Sequence, residues 1–258
     1  IGSNVREAVK KGLADYTPCL LSEIPGLIRS GRLPVDVALI HTPPPEDGFC
    51  SLGVAVDIVK AAVETAEYVV AQVNPRMPWT LGDSFIKVDD VVAFVLGDHP
   101  IFSLPEPEQT AAAICIGRYA SALIEDGATL QIGIGSVPNA ILAALTGKKD
   151  LGIHSEMISD GILPLLECGA LTGSRKTLHP GKIVASFAIG SERLYKQLSR
   201  NPLFEFYPSD YVNSPSVIGR NDHMVCVNSA LQVDLTGQGA ADSIGKNFFS
   251  GFGGQLDF

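Results

Sequence analysis

The chain alternates between short apolar runs and longer segments in which apolar residues recur every three or four positions. Short apolar runs bounded by glycine or polar residues are typical of buried strands, and helical spacing is typical of helices. Strands are predicted over residues 35–41, 52–56, 68–73, 84–88, 128–132, 151–153, 182–188 and 204–207, with a hairpin formed by 224–227 and 230–235. Helices are predicted over residues 5–14, 57–66, 108–124, 139–145, 162–168 and 192–198, with a shorter one inside 22–32. This alternation predicts an α/β fold with mostly parallel sheets flanked by helices.

A proline-rich connector divides this pattern into two halves. Residues 97–107 contain three prolines and show little periodicity. Domain boundaries fall in segments of this kind. We therefore predict one domain over residues 1–98, a linker over 99–107 and a second domain over 108–258, with the ligand cleft between the two.

A glycine turn followed by a short helix stands at the centre of the second half. Gly133 and Gly135 come directly after a predicted strand. Either Ser136 or Val137 is expected to cap the helix, and Pro138 fits its first turn, where no N–H is needed. The turn therefore predicts a group of backbone N–H donors at a helix N-terminus.

Glu156 is predicted to lie in a loop after the next strand, closed by Gly161. Ligands bind at the carboxyl ends of strands in open α/β sheets. Backbone N–H groups stabilise oxyanions, and a carboxylate can attack an acyl carbon. The alternative interpretation is that the glycines only make a turn and that Glu156 is a solvated loop residue.

Two further features offer hydrogen-bond donors. The glycine-rich run 251–255 allows its backbone to approach another group closely, and together with the first glycine turn it would place N–H donors on both sides of a reacting carbonyl. Asn213 supplies a side-chain amide. Its alternative role is that of a turn-forming Asn just before Pro215.

A dinucleotide-binding site is a weaker interpretation of the same glycine turn. Its third glycine is replaced by Pro138, and an acidic residue is expected at the end of the second strand, about 20 residues further on. Glu156 lies near that spacing, but in a predicted loop.

Composition narrows the classes of partner. The net charge is −9 and there is no basic block, which argues against nucleic acid or an anionic membrane as the main partner. Five widely spaced cysteines without a CxxC pair predict reduced thiols in a cytoplasmic protein, and no metal site is predicted. No apolar run reaches the roughly 18 residues of a membrane span. The first residue, Ile1, and the glycine-rich end predict a chain cut from a longer protein at both ends.

Four segments together resemble a known family. In chain order they are GIGSVPNA at 133–140, LGIHSEMISDG at 151–161, VDLTGQ at 233–238 and GFGGQLDF at 251–258. They resemble the signatures of the acetyl-CoA hydrolase/transferase family, in particular its 4-hydroxybutyrate and butyrate-type CoA-transferases. The resemblance covers nearly the whole chain. It implies two NagB/RpiA-like lobes, with residues 1–98 from the family's N-terminal domain and 108–258 from its C-terminal domain.

The resemblance also implies an activity and roles for residues. CoA would move between a short-chain acyl-CoA and a free carboxylate by a ping-pong exchange in which Glu156 becomes a glutamyl-CoA thioester. Asn213, Gly253 and Gly254 would complete the catalytic group. The substrate or CoA-binding residues would be Gly133, Ile134, Gly135, Ser136 and Val137.

The same resemblance implies that no metal or cofactor is needed, with the CoA thioester as substrate, and that the protein is a homo-oligomer, a dimer. Two alternatives stay open. Water could replace the acceptor acid, which would make the protein an acetyl-CoA hydrolase, or the chain could be a non-catalytic CoA-binding fragment.

Overall fold

The computed structural model describes residues 3–105, 107–245, 247–248, 251 and 253–258. Its strands are β1 Val37–Thr42, β2 Phe49–Ser51, β3 Tyr68–Val73, β4 Phe85–Lys87, β5 Ala93–Leu96, β6 Thr129–Ile132, β7 Gly152–Ile158, β8 Ile183–Ala188, β9 Phe204–Phe206, β10 Met224–Val227, β11 Gln232–Val233, β12 Gly239–Ala240, β13 Ser243–Ile244 and β14 Asn247–Phe248. Its helices are α1 Ser3–Lys10, α2 Ile24–Arg29, α3 Val59–Thr65, α4 Ala111–Ala122, α5 Ser136–Ala144, α6 Leu163–Glu167, α7 Glu192–Leu198, α8 Ser209–Val212 and α9 Pro215–Ile218. Short 3-10 turns occupy Leu21–Glu23, Val88–Asp90 and Asp160–Ile162.

A five-stranded parallel sheet forms the centre of the fold, with strand order β10-β6-β7-β8-β9. Parallel sheets are covered on both faces, so their strands are continuously apolar. Leu130, Ile153, Ile183 and Phe204 come from four neighbouring strands, and each is at most 2% exposed. The α/β prediction with mostly parallel sheets flanked by helices is therefore confirmed.

A smaller parallel sheet of order β1-β3-β5 precedes the connector, with the antiparallel pair β2–β4 beside it. The two parallel sheets are separate, but one cluster of buried apolar side chains includes residues from both. A backbone hydrogen bond also links the first half of the chain to the large sheet, because the Val56 N–H, in the loop before α3, donates to the Ser186 carbonyl in β8 at 3.0 Å. The domain boundary near 99–107 stays a prediction.

Some local predictions are wrong. The strand predicted over 52–56 is replaced by β2, and β5 was not predicted. The predicted hairpin does not form, because β10 pairs in parallel with β6 at the edge of the large sheet while β11 pairs with β12. Helix α1 ends before the predicted residue 14, and Gly12 follows it with φ of 70°.

Two features are absent from the described ranges. Within them, no helix is both long and apolar enough to cross a bilayer. The same residues contain no group of three or more His, Cys, Asp or Glu side chains arranged to hold a metal ion. All five cysteines are free thiols.

Candidate active site

Glu156 lies inside β7, so its predicted position in a loop is wrong. The strand continues past it because Met157 and Ile158 pair with β8. The ladder between β6 and β7 pairs Thr129 with Gly152 and Leu130 with Ile153. Glu156 therefore lies beyond that ladder, toward the carboxyl end of the sheet where ligands bind in this class of fold.

The half-buried Glu156 carboxylate accepts two hydrogen bonds from distant parts of the chain. The Asn213 side-chain amide donates to Oε2 at 2.9 Å, and the backbone N–H of Gly254 also donates. The structure thus brings together three residues that the sequence analysis proposed for one site.

Asn213 is fixed by the local fold of α8. Its own N–H continues the turn by donating to the Ser209 carbonyl at 2.9 Å, and Pro215 starts the next helix. Asn213 is 0% exposed. It therefore ends a turn, as its alternative interpretation expects, and also donates to Glu156.

The glycine run near the end of the chain brings its backbone directly to Glu156. Gly253 has φ of 55° in the left-handed region, where an added Cβ would have open space. Gly254, in contrast, has no space for a side chain. An added Cβ would overlap both the Glu156 carboxylate oxygen and the Asn213 amide nitrogen. Phe252, which the predicted run includes, lies outside the described residues.

Burial raises the pKa of Glu156, and the negative charges of Asp257 and Asp57 raise it further. The hydrogen bonds from Asn213 and Gly254 act in the opposite direction. A carboxylate that is poorly solvated and more basic than usual is a better nucleophile once ionised.

His154 connects β7, the strand of Glu156, to the segment that carries Asn213. It is fully buried and lies two residues before Glu156, on the same face of β7. Burial lowers its pKa to about 4, so the ring is neutral near pH 7. Its Nε2 donates to the Val212 carbonyl at 2.9 Å, since a carbonyl can only accept.

The turn that holds Gly133 and Gly135 leads directly into α5. Gly135 precedes the helix with φ of 121° and ψ of −179°, a conformation that is essentially restricted to glycine. Ser136 and Val137 are the first two helical residues, so the prediction that one of them caps the helix is wrong. Pro138 lies in the first turn, as predicted.

A Cβ added at either glycine of this turn would not reach Glu156. An added Cβ at Gly133 would meet no atom within 4 Å, and one at Gly135 would meet only Pro138, at 3.9 Å. Ile134 and Gly135 instead line a cavity of about 310 Å³ at the carboxyl ends of β6, β7 and β8. Its other lining residues are Leu104, Pro105, Pro107, Asn139, Ser159, Asp160, Ile189 and Gly190.

Four residues of this site were not predicted from the sequence: Asp57, His154, Asp257 and Ser22, the hydrogen-bond partner of Asp257. His154 and Asp257 lie inside two of the recognised segments, which is the only signal that could have identified them. Ser22 and Asp57 carry no local pattern that indicates a site, because only the fold brings Ser22 to Asp257 and Asp57 close to Glu156.

Replacement of Gly135 by alanine is expected to destabilise the protein by about 1–3 kcal/mol, because a Cβ disfavours its backbone conformation. Gly133→Ala is the matched control, since that residue has no positive φ and open space for a Cβ. Urea titrations of the parent and of both variants give the changes in the free energy of unfolding. Equal losses in the two variants would show that the conformation of Gly135 is not the cause.

Comparison with known proteins gives two family matches. Residues 1–104 match the acetyl-CoA hydrolase/transferase N-terminal domain, and residues 190–258 match the C-terminal domain of the same name. The 4-hydroxybutyrate coenzyme A transferase of Clostridium kluyveri is 51% identical over 100% of this chain and 60% of its own length. The succinyl-CoA:acetate/propanoyl-CoA:succinate CoA transferase of Fasciola hepatica is 45% identical over 100% of this chain and 54% of its own.

A solved structure gives the same result. The 4-hydroxybutyrate CoA-transferase from Porphyromonas gingivalis superposes with a TM-score of 0.83 at 45% identity, covering 86% of this chain and 57% of that one. The chain thus spans less than two thirds of the length of these proteins.

Proposed function

Since the chain belongs to the acetyl-CoA hydrolase/transferase family, we propose that it transfers CoA between a short-chain acyl-CoA and a free carboxylate. Acetyl, butyryl and 4-hydroxybutyryl are the proposed acyl groups, and acetate is a proposed acceptor. The named relatives are CoA-transferases, which supports transfer as the class of reaction.

One observation carries the proposal: a partly desolvated carboxylate, Glu156, contacts two well-placed N–H donors. The Asn213 amide and the Gly254 N–H both reach it. A carboxylate held in this way can act as a nucleophile, and its donors can stabilise the charge that develops during acyl transfer.

The proposed reaction begins when Glu156 attacks the acyl-CoA carbonyl. The C–S bond breaks, CoA leaves as a thiolate, and an acyl-glutamyl anhydride remains. The thiolate then attacks the glutamyl carbonyl and expels the first carboxylate, which leaves a glutamyl-CoA thioester. A second carboxylate reverses these steps, so each half-reaction balances without an outside reagent.

The donors on Glu156 fit the step in which its own carbonyl is attacked. Because Asn213 and Gly254 already bind a carboxylate oxygen, the oxyanion formed at the glutamyl carbon would keep the same partners. A donor of this kind lowers the barrier by roughly 3 kcal/mol. We assign CoA binding to the turn of Gly133, Ile134, Gly135, Ser136 and Val137, which borders the neighbouring cavity.

The direct test offers butyryl-CoA and acetate to the intact protein. We expect acetyl-CoA to form, measured by chromatography, without an equal release of free thiol. Release of thiol without acetyl-CoA would identify a hydrolase, and neither product would indicate a CoA-binding fragment. A panel of acyl-CoAs in the same assay gives the acyl preference.

A further inference from the structure

Asp257 lies next to the proposed nucleophile, and both of its carboxylate oxygens accept hydrogen bonds from other residues. It is 5% exposed. Its Oδ2 accepts a hydrogen bond from the Asn213 amide nitrogen at 3.2 Å, and that nitrogen also donates to Glu156 at 2.9 Å. An amide nitrogen has two hydrogens, so one serves each carboxylate.

This shared contact sets the orientation of the Asn213 amide. Turning the amide over would point its oxygen at two carboxylates, Glu156 and Asp257, and would replace two hydrogen bonds by two repulsions. The Asn213 oxygen is buried without a hydrogen-bond partner among the described residues, so no hydrogen bond to that oxygen from those residues sets the orientation. We therefore attribute the orientation of the Asn213 amide to its hydrogen bond with Asp257.

Asp257 is itself anchored to a remote part of the chain. The Ser22 hydroxyl donates to its Oδ1 at 2.6 Å, and the Ser22 N–H donates to Oδ2 at 3.3 Å. The backbone N–H of Asp257 donates to the Gly254 carbonyl at 3.1 Å. The turn that presents the Gly254 N–H to Glu156 is thereby attached to Ser22.

We propose that Asp257 is a positioning residue that fixes both donors to Glu156, the Asn213 amide and the Gly254 N–H, for CoA transfer. The inference rests on the proposed function. It also assigns a role to Ser22, which holds Asp257 in place through its other oxygen.

A second carboxylate, Asp57, allows the positioning role of Asp257 to be distinguished from the effect of its negative charge on Glu156. Asp57 also raises the pKa of Glu156 by its negative charge. Its carboxylate, however, accepts from the N–H groups of Ile58 and Val59, at 2.6 Å and 3.3 Å, at the start of α3. Asp57→Asn therefore removes a neighbouring charge without removing a partner of Asn213.

The pH dependence has a definite sign. Glu156 attacks only when ionised, and its pKa is raised, so transfer increases as pH rises through that pKa and then reaches a plateau. The groups that face it are Asp57, Asp257, Asn213 and the Gly254 N–H, with His154 neutral on the same strand. Loss of either aspartate charge lowers the pKa of Glu156 and shifts the rise to lower pH.

The experiment compares Asp257→Asn with Asp57→Asn in the intact protein, measuring kcat and KM for transfer across the pH range. In both variants the increase of kcat with pH is expected to occur at lower pH than in the parent. Only Asp257→Asn should also lower the plateau kcat, by about 10²-fold, the cost of one lost positioned donor, with KM for acyl-CoA changed less than about threefold. The reason is that the new amide in Asp257→Asn can donate to the Asn213 oxygen, which favours the turned-over orientation of the Asn213 amide.

Ser22→Ala is the second variant, in case Asp257→Asn does not fold. It removes an anchor of Asp257 and leaves every charge in place. We expect its plateau kcat to fall by about tenfold, as for misplacement of a catalytic group, with no shift in the pH of the rise. Circular dichroism checks that each variant is folded.

The inference is overturned if Asp257→Asn has the same plateau kcat as Asp57→Asn within about threefold, or, where it does not fold, if Ser22→Ala matches the parent. Failure of the proposed function has a different signature. In that case the parent itself, incubated with acyl-CoA alone, forms no thioester at Glu156.

Discussion

Glu156→Gln is expected to lose CoA transfer by at least about 10⁴-fold, as when a covalent nucleophile is removed. The amide has nearly the shape of the carboxylate, and its oxygen can still accept from Asn213 and Gly254. Fold and acyl-CoA binding should therefore be kept, but the amide cannot form the anhydride. Steady-state kinetics measure the loss of transfer, and calorimetry shows whether acyl-CoA binding is kept.

Glu167→Gln is the matched control. It makes the same chemical change at an exposed residue at the end of α6, where the carboxylate pairs with Arg193, and it should transfer at the parent rate. Glu156→Asp should lose about 10²-fold, because one methylene less withdraws the carboxylate from the acyl carbon. Retention of transfer within about tenfold in Glu156→Gln would show that another group is the nucleophile.

Gly254→Ala is expected to lose at least about 10³-fold in kcat, since a positioned donor is lost and the proposed nucleophile, Glu156, is displaced as well. An added Cβ would lie 3.0 Å from the Glu156 carboxylate carbon and would overlap its oxygen. Either Glu156 or the 254–257 turn must move away. We expect a large decrease in kcat and only a small decrease in the free energy of unfolding.

Gly253→Asn is the control for this variant. Gly253 has φ of 55° and open space for a side chain, and Asn tolerates the left-handed region better than other residues. We expect a clearly smaller loss of kcat than for Gly254→Ala. Equal losses would mean that distortion of the glycine run, and not contact with Glu156, limits the reaction.

The sequence predicted the alternation of strands and helices well, because apolar runs in a parallel sheet are continuous and local. β3 has the predicted bounds, and β8 and α7 agree within a residue. Glu156 was placed in a loop because His154 and Ser155 interrupt the apolar run. Both are in fact buried, and Ser155 Oγ satisfies its hydrogen bonding with the backbone of Ile132 at 3.3 Å.

Predictions that depended on distant pairing were less successful. A hairpin was expected for 224–227 because a plausible turn follows it, yet its partner is β6, far away in the sequence. The contacts of Asp257 with Asn213 and Ser22 likewise join remote segments. Motif resemblance selected Asn213 and Gly254 as candidates, but only the fold shows that both contact one carboxylate.

The most direct test of the account is to trap the thioester on Glu156. The intact protein is incubated with acyl-CoA without an acceptor, reduced with borohydride and mapped by mass spectrometry. We expect reduction to the alcohol at Glu156 alone, dependent on acyl-CoA and absent from Glu156→Gln. A protein that transfers CoA but shows no reduced residue at 156, or shows it at Asp257 or Asp160 instead, would contradict the account.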